Sequence, residues 1–133
     1  MIVLDACALI ALIRHEPGAE VVERLINDEQ TPCLIHVVNL CEVYYDLLRS
    51  TDEATAQQAI VDIESVGVVF RDDIDRDFWQ MVGYYKATLA RVSLADCFAL
   101  SLAHRTDAEI ATSDHHEFDR LVAQGVCKIQ FIR

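Results

Sequence analysis

Glycine and proline are scarce, four and two in 133 residues. So few chain breakers, with 53% hydrophobic residues, exclude collagen-like, low-complexity and disordered chains. Positive charge is also short. Eleven Lys and Arg face 22 Asp and Glu, a net charge of −11 with neutral histidine. Such a chain does not hold nucleic acid by general charge attraction, which needs a basic surface. No uncharged apolar run approaches the ~20 residues that span a bilayer. The apolar N-terminal stretch is interrupted by Asp5 and preceded by no Lys or Arg, so it is not read as a signal-peptide core. The cysteines (Cys7, Cys33, Cys41, Cys97 and Cys127) are odd in number, and no two are spaced as CxxC. That leaves a zinc ribbon or thioredoxin motif unsupported. Set among Ile, Leu, Val, Ala and Phe, they are expected to be small buried thiols in a reducing cytosol. A Walker loop and a GxSxG elbow are both missing.

The residues that are present alternate between two patterns. Short apolar runs at Ile2–Leu4, Pro32–Ile35, Gly67–Phe70, Glu109–Thr112 and Cys127–Ile132 read as strands. Between them lie helical patterns at Ala6–Arg14, His36–Arg49, Thr51–Glu64, Ile74–Ala90, Leu94–Thr106 and His115–Ala123. A further helix carries the stripe Val21, Val22, Leu25 and Ile26, with Pro17 expected in its first turn. Strand–helix alternation in one chain of this length predicts a single α/β domain over residues 1–133, its parallel sheet covered by helices on both faces.

Most acids fall on polar helix faces and read as solvated surface, among them Glu20, Glu23, Asp52, Glu53, Asp62 and Glu64. The run Asp72-Asp73-Ile74-Asp75-Arg76-Asp77 resembles the start of a calcium loop. Phe78 then stands where that loop needs Gly, and Tyr84 where it needs Glu. A helix N-terminus explains this run better. Asp5, Glu42, Asp96 and Asp114 fit neither account. Each sits against an apolar strand or inside an apolar helix, where an ionised carboxylate is costly unless paired, hydrogen-bonded or metal-bound. Singly, each has an ordinary reading. Asp5 and Asp114 can cap helices, Asp114 with Glu117 as a capping box; Asp96 can follow a Ser93 cap, and Glu42 can face solvent. Together they fall on one rim. In a parallel sheet, strand ends and the following helix starts share the carboxyl edge, where ligands of open α/β sheets bind. Four acids there repel one another. A divalent cation relieves that repulsion, and an all-oxygen set suits Mg²⁺ or Mn²⁺ better than zinc. Such a site supports phosphoryl transfer or phosphodiester hydrolysis.

Met1-Ile2-Val3-Leu4-Asp5, the Glu42 helix, Leu94-Ala95-Asp96-Cys97-Phe98-Ala99 and Ala111-Thr112-Ser113-Asp114 resemble the successive signatures of a PIN domain. The compact length is similar to VapC-type ribonuclease toxins of toxin–antitoxin pairs. The resemblance implies a five-stranded, mostly parallel sheet in the order 3-2-1-4-5. It implies a Mg²⁺- or Mn²⁺-dependent endoribonuclease with Asp5, Glu42, Asp96 and Asp114 as its acidic metal-site quartet. Thr112 matches a hydroxyl that orients the last acid, and Glu117 an outer acid. It also implies a homodimer, an RNA substrate and a cognate antitoxin that blocks the site. The cysteine usage and the missing apolar span predict a cytoplasmic protein with no membrane segment. Ala6-Cys7 departs from relatives that carry Ser, Thr or Asn after the first Asp.

On this reading Asp5 and Asp96 hold the main metal, with Asp114 and Glu42 positioning it, and no histidine base is required. His115 and His116 diverge by ~100° on a helix and are expected at the surface or at a cap. His36 and His104 are expected to be ordinary helix residues, and Arg14 and Arg91 solvated surface. Two other classes compete. One is a catalytically degenerate PIN-like module that binds protein or RNA. The other is a receiver-like phosphotransfer domain, which Asp5-Ala6 does not fit, because paired acids are required there.

Overall fold

The computed structural model describes residues 1–133. Its strands are β1 (Ile2–Leu4), β2 (Cys33–His36), β3 (Val69–Arg71), β4 (Glu109–Thr112) and β5 (Ile129–Phe131). They form one sheet in the order β3-β2-β1-β4-β5, and every pairing is parallel. The helices are α1 (Ala6–Ile13), α2 (Ala19–Asn27), α3 (Val37–Ser50), α4 (Glu53–Ser65), α5 (Arg76–Thr88), α6 (Leu94–Thr106) and α7 (His115–Ala123). The chain builds outward from β1 to β3, then returns past β1 to β4 and β5. Its direction of growth reverses between β1 and β4, which opens a crevice at their carboxyl ends.

The pleat divides the core. Ile2 and Leu4 face a cluster with Leu9, Val22, Ile35, Val43 and Ile63 beneath α1 to α4. Val3 faces the other way, to Leu34, Phe78, Leu100, Ile110, Phe118 and Leu121 beneath α5 to α7. Burial on both faces explains why the strands read as continuous apolar runs. Phe78 and Phe118 are the largest fully buried side chains, and each contributes about 1.5–3 kcal/mol by leaving water. No helix is long and apolar enough to cross a membrane.

Several local expectations are corrected. Pro17 lies outside α2, which starts at Ala19 behind a Gly18 cap with φ 95°. Glycine is required there twice over, by the left-handed φ and because a Cβ would stand 2.7 Å from the Ile132 carbonyl oxygen. The helix expected from Thr51 starts at Glu53: Asp52 caps α4 by accepting from the Thr55 N–H at 2.7 Å, while the Thr51 hydroxyl closes α3 on Leu47 O. In the acidic run only Asp75 caps α5. Asp73 instead bridges Arg71 and Arg105 at 2.8 and 2.9 Å.

His36 is not an ordinary helix residue. It ends β2 and caps α3, its Nδ1 accepting from the Val38 N–H at 3.1 Å. Nε2 therefore carries the proton and donates to Asp73 O at 2.9 Å. Phe78 stacks on this buried ring and Phe98 tilts against it, and burial holds its pKa below the usual histidine value. All five cysteines are free. Cys33 and Cys97 are buried as expected, but Cys7 and Cys41 are exposed, one on the first turn of α1 and one on the outer side of α3.

Candidate metal centre

Backbone hydrogen bonds fix each acid at the carboxyl edge. Asp5 follows β1 directly, and its N–H donates to Ala111 O of β4 at 3.3 Å. Its Oδ1 accepts from the Ala8 N–H at 2.8 Å, which caps α1. Asp114 follows β4, its N–H donating to Thr112 Oγ1 at 2.9 Å and its Oδ1 accepting from the Glu117 N–H at 3.0 Å. Asp96 lies in the first turn of α6, where its N–H donates to Ser93 Oγ at 3.1 Å. Glu42 is in the second turn of α3. The N-termini of α1, α6 and α7 thus meet at one rim, and their dipoles favour negative charge there.

The ordinary reading of Asp114 as half of a capping box is realised only in part. Asp114 caps α7, but Glu117 does not fold back onto the Asp114 N–H. Glu117 Oε2 accepts from the Ser93 N–H at 2.9 Å, so it ties α7 to the start of α6. Ser93 joins the two elements, its hydroxyl serving Asp96 and its amide serving Glu117. Sequence reasoning saw Ser93 only as a cap. No local pattern pairs it with a residue 24 positions on.

Asp96, Asp114 and Glu117 each bring one carboxylate oxygen to within 4.8 Å of the others. Asp5 is 1% exposed. Burial pushes its carboxyl up to about 7 against the Thr112 and Ala8 hydrogen bonds, with smaller upward effects from Asp114 and Glu42. Burial also raises Asp96, helped by its hydrogen bond to Glu117 and by the Asp5 charge. A proton shared between Asp96 and Glu117 is the expected metal-free state, because two carboxylates in hydrogen-bond contact do not both ionise. Glu42 is raised by burial first and by Glu117 next. Cys7 is an exposed residue, but its thiol is partly desolvated beside Asp5, Asp114, Asp96 and Glu42, and desolvation first and those charges next push it up.

Five acids therefore share one electrostatic neighbourhood, with no ion pair to Lys or Arg among them. Neighbouring oxygens around a Mg²⁺-sized ion stand about 3 Å apart and opposite ones about 4.2 Å, and the Asp96, Asp114 and Glu117 oxygens, within 4.8 Å of one another, converge on that scale. An oxygen-only donor set that is short of positive charge fits Mg²⁺ or Mn²⁺. The quartet expected from the sequence lies together, but the tightest three-oxygen group includes Glu117, expected as an outer acid. Asp5 stands behind it, anchored to α1, and Thr112 is fully buried between Asp5 and Asp114 in the hydrogen-bond pattern.

The other candidates scatter. Arg14 is bound to Asp46 and Ser50. Arg91 is exposed, with no ion pair, in the loop before Ser93. His115 turns away from the acids, bonding Asp119 and Arg133 O at 2.9 and 2.8 Å and stacking on Phe131.

The PIN domain family model matches residues 2–123. No curated protein matches the chain at a significant level. Among solved structures, VapBC2 from Rickettsia felis, bound to a promoter DNA fragment, is similar with a TM-score of 0.73 at 18% identity, covering 98% of each chain. VapC20 from Mycobacterium tuberculosis, described as a sarcin-ricin loop cleaving toxin, gives 0.74 at 14% identity, covering 90% of this chain and 95% of its own. DNA-bound VapBC from Salmonella typhimurium gives 0.74 at 18% identity, covering 99% and 98%. With the family match spanning all seven helices and four of the five strands, the chain belongs to the PIN domain family.

Proposed function

We propose that this protein is a Mg²⁺- or Mn²⁺-dependent endoribonuclease and the toxin of a VapBC-type toxin–antitoxin pair. One observation carries the reading: five carboxylates converge at the β1–β4 crevice with no Lys or Arg paired to them. The chemistry a divalent ion supplies at such oxygens is neutralisation of a phosphodiester and activation of a water. Asp96 and Asp114 offer oxygens from two rigid helix starts. Asp5 links β1 to α1 and, through its N–H, to β4, and so fixes the edge from which Asp114 projects. Ser93 orients Glu117 through Oε2 and leaves its second oxygen facing Asp96. Glu42 adds a carboxylate from α3 on the Glu117 side.

The similarity to a toxin described as cleaving the sarcin-ricin loop supports RNA as substrate. Likeness to toxins solved together with their antitoxins supports an antitoxin partner. We place the protein in the cytoplasm as a homodimer on the same family grounds. The −11 charge makes a basic partner segment electrostatically suitable.

Incubating a structured RNA with wild type and with Asp96→Asn, in Mg²⁺ or in chelator, tests the reading. Wild type in Mg²⁺ is expected to cleave, with the variant reduced at least 100-fold. Cleavage in chelator, or equal cleavage by the variant, would contradict the assignment. No cleavage by either protein would favour a degenerate binding module.

A further inference from the structure

Asn39 breaks a rule the rest of the core obeys. It is fully buried in α3, three residues before Glu42 and so near the same helix face. Its Nδ2 donates to Ala95 O at 3.1 Å, the carbonyl next to Asp96 in the first turn of α6. Its Oδ1 is buried and has no hydrogen-bond partner. Flipping the amide does not help, because Oδ1 would then face the Ala95 carbonyl oxygen. A helical carbonyl at this place is already served by the N–H four residues on. Fold stability therefore gains little from the contact and loses by the orphaned acceptor, where an apolar side chain of similar size would serve better. Buried polar groups that break local rules concentrate where function demands a geometry.

We propose that Asn39 is a positioning residue: by fastening α3 to the Ala95 carbonyl, it holds Glu42 in register with Asp96 and so sets the spacing of the cation-binding acids. The inference rests on the divalent-cation reading of the site and adds to it a residue that is neither acidic nor in reach of the ion. It explains how a carboxylate from α3 is kept aligned with acids carried by β1, α6 and α7. Glu42 itself makes no hydrogen bond to those elements.

The test compares wild type with Asn39→Leu in two measurements. One is Mn²⁺ affinity, read from free Mn²⁺ by electron paramagnetic resonance. The other is the thermal midpoint in chelator. Asn39→Leu is expected to keep or raise the midpoint while weakening Mn²⁺ binding about tenfold or more. Unchanged affinity, whatever the midpoint, overturns the proposal. If the variant loses both stability and affinity, Ile63→Ala on α4, away from the site, serves as an equally destabilised control. Wild-type affinity in that control upholds the proposal, and a matching loss overturns it. Should Asn39→Leu not fold, Asn39→Ala is judged by the same results. A wild type that binds no Mn²⁺ overturns the cation reading and this inference together. Wild-type binding with an unaffected variant overturns this inference alone.

Discussion

Asp5 has 1% of its surface exposed and a carboxyl pushed up to about 7, chiefly by burial. Ionising it in the folded chain is costly, on the order of 4 kcal/mol against an exposed carboxylate. A raised acid stabilises the fold fully below its unfolded pKa, and that contribution is lost as pH rises towards the folded value. Asp96 and Glu42 are raised as well, so their effects have the same sign. His36, held low, works the opposite way below its unfolded value, while the raised His115 works with the acids. Asp73 and Asp75, held low by Arg71 and Arg105, and Glu117, held low against burial by its Asp96 and Ser93 hydrogen bonds, have the opposite sign but act only at the acid end. In chelator the thermal midpoint is therefore expected to fall as pH rises from about 4 through 7. Asp5→Asn is expected to flatten that slope. A midpoint that climbs over the same range would contradict the assigned burial cost. The sequence made these acids conspicuous because each interrupts an apolar pattern. It gave Glu117 a lesser place, because Glu117 looks like an ordinary first-turn acid until Ser93 takes its Oε2.

At the scale of elements, the alternation of apolar runs and helical stripes was legible, because each pattern follows from burial on one or two faces. The boundaries that differed were set by contacts distant in sequence. His36 reads as helical by its neighbours, yet Asp73, Phe78 and Phe98 hold it as the end of β2 and the cap of α3. Pro17 reads as a first-turn residue, yet α2 starts only after Gly18, where a left-handed φ and the close approach of Ile132 from the far end of the chain both call for glycine. Gly18→Ala is expected to lose about 2–3 kcal/mol in urea unfolding, from backbone strain plus collision with Ile132. Gly67→Ala, with the same φ but nothing within 4 Å of its Cβ, is expected to lose only about 1 kcal/mol. Equal losses would show that the Ile132 contact carries no cost.

For the whole molecule, the −11 charge first argued against a nucleic-acid partner. The fold changes its meaning, since strand order 3-2-1-4-5 gathers five of the 22 acids into one crevice while Glu20, Glu23, Asp52, Glu53, Asp62 and Glu64 stay exposed as solvated surface. The basic residues offer little counter-charge there: Arg14, Arg71, Arg105 and Arg133 are spent on ion pairs elsewhere, and Lys86 and His116 act on Glu117 only without a direct ion pair. Contact with RNA is thereby expected to be local and cation-centred. That crevice was legible from topology, whereas the approach of Glu117 to Asp96 was not, because it depends on side-chain placement within a few ångströms. These acids are thus read as a cation site, crowded together at a cost that protons relieve only in part and that a bound ion removes. Thermal denaturation of wild type and Asp96→Asn, each in chelator and in Mn²⁺, tests it directly. In chelator the variant is expected to be the more stable by about 1 kcal/mol, roughly 3–5 °C for a chain of this size. Mn²⁺ is expected to reverse the order by stabilising wild type alone. The same order in both conditions would contradict the account.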